Sequence, residues 1–308
     1  MSNEKINDAF IPIGEMEVGE VIEILKEIED ENAILEIKNN LKEYSLKYEN
    51  FESLTSASEK FSDWTIFDKI YKYSNYEIGH IPPLDGRNEK ILIKNAKEII
   101  PNLHDEVVDI KLETVYIEDF PGRSPYTILF QFKTKKNEES IDFIKLLEVS
   151  KGSYASTINK PIFNSLKLGE RGLPLETNAI NVKNKEDQTF LNFLKNEALN
   201  AGLSILSLVN PIIGIVSAFC VGISKGILNK TRKNHIVLQP DLFFDLNPRS
   251  NSVKLKEGSY IIIQLPNIII RNWNWNDWIY HNGHIKNVVN GEILKYNYIV
   301  IGIYKTNS

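Results

Sequence analysis

The sequence predicts an α+β protein: an antiparallel β-sandwich-like body, preceded by an acidic helical region and interrupted by an apolar helical insert at about 187–230. Three observations predict it. Apolar residues recur every three or four positions across the first fifty residues, the period of a helix with one buried edge. Farther on, short β-branched and aromatic runs alternate with polar residues and are cut by Asn, Gly and Pro, the pattern of an antiparallel sheet. Between two such stretches stands a long run without formal charge.

The first region is acidic: residues 1–60 hold 15 Asp or Glu against 6 Lys, so the rest of the chain is net basic within a total of −5. Val18, Val21, Leu25 and Ile28 make one stripe; Ile34, Ile37, Leu41, Tyr44, Tyr48 and Phe51 continue it in a shifted phase. The phase changes at Asp30-Glu31-Asn32, which predicts two helices or one with a stutter. Such helices pack on the body as a hairpin, or bind a protein partner or a second copy. Pro82-Pro83 excludes helix and Asp85-Gly86 favours a turn, dividing the chain into 1–80, helical, and 81–308, β-rich.

Val108, Ile110, Leu112 and Tyr116 alternate as a half-buried strand, and Tyr126, Ile128, Phe130 and Phe132 repeat the pattern after Pro121-Gly122, predicting a hairpin. Phe190, Leu191, Phe193, Leu194, Ala198 and Leu199 give the insert an apolar helical face. The carboxyl third offers strand-like runs at 235–238, 242–246, 259–265, 268–271, 278–281, 285–289 and 296–304.

The uncharged run Ala201 to Ser224 is 24 residues long; as one helix it would extend about 36 Å against a hydrocarbon core of about 30 Å. Asn210-Pro211 interrupts it, so two shorter helices are expected. Gly214, Ala218, Gly222 and Gly226 recur every fourth residue, a small-residue ridge that admits close approach of another backbone. The segment 201–228 is either a buried helical pair or an apolar element stored for release into a bilayer.

Gly222-Ile-Ser224-Lys-Gly226 fits G-x-S-x-G, and Asp245 with His281 or His284 follows in the order of a hydrolase triad. That elbow belongs on a parallel α/β sheet, which nothing here predicts, so a small-residue helix face explains the glycines more simply. His281-Asn-Gly-His284 spells a two-residue hairpin turn and is too poor in ligands for a metal site. Trp273, Trp275 and Trp278 are three of the four tryptophans; with Tyr280 they form a candidate ligand or membrane contact, Trp273 and Trp275 sharing a strand face. No basic stripe accompanies them, which speaks against nucleic acid.

The expectation is a non-catalytic binding or effector protein, acting through a protein partner or a membrane, toxin-like if the stored segment is released. No cofactor and no metal are expected. The alternatives are a serine hydrolase using Ser224, Asp245 and His281, and a structural component of a larger bacterial assembly. The amino terminus lacks a signal-peptide h-region, so cytoplasmic synthesis is expected, with membrane association or leaderless export afterwards. One cysteine, Cys220, leaves no intramolecular disulfide to form.

Overall fold

The structure, a computed structural model, describes residues 11–43, 50–65, 67–83, 90–136, 139–155, 160–189, 191, 224, 226–228, 231, 233–281 and 283–306. The two helical stripes form α1, Val18–Glu27, and α2, Glu31–Glu43. Their phase change is a turn in which Glu29 takes a left-handed φ of 56°. Asp30 caps α2 by accepting the Ala33 N–H at 3.1 Å, and its second oxygen accepts the Gly122 N–H at 2.6 Å. Val18, Val21, Ile22 and Leu25 of α1 and Ala33, Ile37 and Leu41 of α2 are buried in the same cluster as the main sheet residues.

Among the described residues fifteen strands form three antiparallel sheets. In chain order they are β1 Asn75–Ile81, β2 Ile91–Leu92, β3 Lys94–Asn95, β4 Val107–Ile117, β5 Tyr126–Lys136, β6 Glu139–Val149, β7 Ser153–Tyr154 and β8 Lys160–Lys167. There follow β9 Gly172–Asn181, β10 His235–Leu238, β11 Asp241–Asp245, β12 Gly258–Leu265, β13 Trp278–His281, β14 His284–Asn287 and β15 Tyr298–Lys305. The seven-stranded sheet runs β3-β1-β12-β15-β4-β7, with β8 also on β4; the five-stranded sheet runs β10-β9-β5-β6, with β11 also on β9; the smallest runs β14-β13-β2. Strand outweighs helix, 43% to 22%, which makes the protein a sheet-rich α+β fold.

Alternation along each strand divides the side chains. Val108, Ile110, Tyr260, Ile262, Ile299 and Ile301 of the largest sheet share one core with Ile128, Phe130, Phe132, Leu175 and Phe244 of the five-stranded sheet. The Phe244 and Tyr260 rings, one from each sheet, meet at 4.6 Å. The intervening residues Tyr116, Ile261, Ile263, Tyr298 and Val300 form a second cluster with Ile285 and Trp275 of the smallest sheet and its approach. Leu129, Ile144, Ile180 and Val182 pack with Leu191 and Ile227 in a third.

Several expectations need correction. The strands at 107–117 and 126–136 do not form a hairpin: β4 pairs with β15, β7 and β8, whereas β5 pairs with β6 and β9. The Pro121-Gly122 segment is a crossover between sheets, held by Asn181 Nδ2 donating to the Pro121 carbonyl at 2.9 Å and by Asp30 on Gly122. The run 268–271 is not a strand. Pro266 has no N–H to continue the ladder, and its carbonyl accepts Ile269 and Ile270 N–H at 3.0 Å each, winding Asn267–Ile270 into one helical turn. Asn75–Ile81 is a strand of the largest sheet, and Pro82-Pro83 follows its end.

Gly214, Ala218, Gly222, Cys220, the helical face from Phe190 to Leu199 apart from Leu191, Tyr44, Tyr48 and Leu84-Asp85-Gly86-Arg87 lie outside the described residues. No helix among the described residues is long and apolar enough to cross a membrane.

Candidate functional site

Most of the tryptophan-rich segment is not strand, because its asparagines hydrogen-bond locally. Asn274 Oδ1 accepts the Asn276 N–H at 3.1 Å and caps a 3₁₀ turn, Trp275–Asp277, before β13 begins at Trp278. Trp273 and Trp275 therefore share no strand face. Trp275 is buried and packs against β1, where a Cβ on Gly79 would lie 2.8 Å from the indole and 2.5 Å from Ile93 Cγ2. Only glycine admits this approach. β13 then pairs with β14 through His281 opposite His284, with Gly283 at φ 79°, the two-residue hairpin expected from Asn282-Gly283.

Trp273 and Trp278 stack at 5.2 Å with ring planes 11° apart. Trp275 and Tyr296 meet Trp273 edge-on, at 5.4 and 6.3 Å. The Trp273 and Trp278 indoles line a depression of about 320 Å³ together with Ile268, Asn274, Asp277, Asn287 and Tyr296. Asn287 Oδ1 accepts the Val289 N–H at 2.9 Å and the Asn290 N–H at 3.3 Å, which fixes its amide. Val288 N–H donates to the Asp277 carbonyl at 2.8 Å, drawing the loop after β14 against the 3₁₀ turn. Around this depression Ile268 is 76% exposed, Val289 90% and Val288 49%.

Tyr280 faces elsewhere. It lines a smaller cavity of about 200 Å³ with Glu113, Ser259 and Tyr304, where Tyr304 Oη donates to Glu113 Oε1 at 2.6 Å and lies 2.9 Å from Ser259 Oγ. Beside it His284 Nδ1 lies 2.8 Å from Tyr154 Oη, which lies 2.9 Å from Tyr298 Oη. Burial pushes the Tyr298 and Tyr154 phenols above their ordinary range, so both remain protonated and serve as packed hydrogen-bonding groups rather than bases.

Ser224, Asp245 and His281 are not brought together by any hydrogen bond among the described residues. Ser224 is buried in a helical segment beside Ile227, its hydroxyl without a partner among the described residues. Asp245 ends β11 and accepts the Asn247 N–H at 2.8 Å, and His281 stands on the smallest sheet. Around Gly226 no described atom lies within 4 Å of where a Cβ would stand, so no described neighbour uses the small residue there.

Ile268, Asn287 and Tyr296 also line the depression, and Val288 and Val289 follow Asn287 in the chain, although the tryptophan cluster alone does not point to them. Asn287 to Gly291 carries a turn signature, but nothing local says that this turn folds back onto Asp277. Compared with protein-family models, curated proteins and solved structures, the chain matches none.

Proposed function

We propose that this chain is a non-catalytic binding protein of the effector type that acts at a membrane surface through the end carrying Trp273 and Trp278. The observation that carries the reading is the group of outward aliphatic side chains, Ile268, Val288 and Val289, around an aromatic depression. Scattered single aliphatics are ordinary on a surface, but a cluster rimmed by polar groups marks an interaction site. Burial in an interface recovers about 25 cal/mol per Å² of apolar area, and indoles favour the headgroup level because one end is apolar and the other polar. Contact through the amino-terminal helices has less support, because α1 turns its apolar face into the protein's own core.

In the same reading the two larger sheets are the layers of a β-sandwich, supported by their shared core and by the Phe244–Tyr260 contact. The test is co-flotation of the full-length protein with liposomes, comparing wild type with an Ile268→Ser, Val289→Ser double variant. Both positions are exposed, so the variant folds. The expected outcome is flotation of the wild type and loss of most of it in the variant; equal flotation of the two overturns the reading.

A further inference from the structure

Resting on that membrane reading, we infer that the depression beside Trp278 holds a neutral hexopyranose, presented as the headgroup of a glycolipid. The first argument is the number of open aromatic faces. Trp273 has one face against Trp278, and the edges of Trp275 and Tyr296 crowd it. Beyond Trp273, Trp278 meets no other ring and no lysine or arginine among the described residues, and its side chain, packed at the edge of the second cluster, is half-buried. A quaternary ammonium is held best by several aromatic faces around it. One flat, electron-rich face suits the C–H face of a sugar ring, whose hydrogens carry the complementary partial charge.

The second argument is the balance of donors and acceptors. Backbone amides occupy Oδ1 of both Asn274 and Asn287, which leaves their NH₂ groups as donors without a partner among the described residues. Asp277, exposed at the same depression, has no ion pair or side-chain hydrogen bond among the described residues and supplies two acceptor oxygens. Vicinal hydroxyls donate and accept at once, so a polyol satisfies both sets. A phosphate would meet the Asp277 carboxylate unneutralised, and a hydrocarbon would leave all these groups unpaired. The outward Ile268 and Val289 place the depression at headgroup depth once they enter the apolar layer.

The test is co-flotation of the full-length protein with phosphatidylcholine vesicles, with or without monogalactosyl or monoglucosyl diacylglycerol, and with methyl hexopyranosides as free competitors. At least about tenfold tighter binding to one glycolipid vesicle is expected, a difference of about 1.4 kcal/mol. The matching methyl glycoside competes it away. Asp277→Ala, at an exposed position, removes the glycolipid preference. Equal binding to vesicles with and without glycolipid overturns the sugar site and leaves the membrane reading standing. A methyl glycoside that shifts tryptophan fluorescence without any flotation overturns the glycolipid and the membrane reading together, leaving a site for soluble sugar.

Discussion

Asn297 is fully buried, and its side chain makes four hydrogen bonds. Its Oδ1 accepts the Glu118 and Asp119 N–H groups at 2.8 and 3.1 Å, and its Nδ2 donates to the Asp119 carbonyl at 3.0 Å and to Gln264 Oε1 at 2.9 Å. Truncation would strand these partners out of water, at about 1–3 kcal/mol for a buried group left unsatisfied. Asn297→Ala is therefore expected to lose about 3 kcal/mol in urea unfolding, and a loss below about 1 kcal/mol would show that water replaces the side chain. His80 makes a second prediction. Burial against Tyr260 lowers its pKa from 6.5 to about 4, with Nε2 kept 3.1 Å from the Glu257 carbonyl. The fold favours the neutral ring, so the unfolded state binds a proton first. Stability is fully present above about pH 6.5 and falls down to about pH 4, by about 3 kcal/mol. Wild type should lose that much more than His80→Gln between pH 7 and 4; parallel curves would place the titration elsewhere.

At the scale of elements, the smallest sheet depends on how closely its tryptophan approach docks. Gly79→Val would drive methyl groups into the Trp275 ring and Ile93, and overpacking of this kind costs about 1–3 kcal/mol. The expected signature is a red shift of tryptophan emission with greater acrylamide quenching, as the Trp273 to Trp278 segment lifts from β1; unchanged emission would mean that the site does not depend on this contact. The two helices were legible from sequence because a stripe and its phase change are local signals, and the structure shows Asp30 capping α2 at that change. The run 268–271 is helical and not strand for an equally local reason: three isoleucines favour strand, but Pro266 removes the ladder hydrogen bond and the chain coils. Partner choice was not legible at all. Alternation identifies β4 and β5 as strands, but the register that puts Tyr298 opposite Tyr116 lies between segments far apart in sequence. The depression at Trp278 was half legible for the same reason, its indoles clustered in one run and Asn287 and Tyr296 arriving from others.

For the whole molecule, the acidic helices are part of the core and not an appendage. Deleting 18–43 would remove seven buried side chains of the main cluster, from Val18 to Leu41, and expose the sheet residues they cover. The expected product shows no cooperative unfolding transition by circular dichroism; a deletion that unfolds cooperatively at the wild-type midpoint would make the helices dispensable. A consequence of strand order concerns the making of the protein. The largest sheet has β15 at its middle, between β12 and β4, although β15 follows every other described strand in the chain. During synthesis, β4 with β8 and β1 with β12 must wait as two half-sheets with open edges facing a gap. Unpaired edges of this kind invite pairing with other chains, and closure over so long a separation is slow. Ribosome-bound chains that stop short of Tyr298 should therefore remain clients of the cell's chaperones, and release should come in one step once the central strand slides into place.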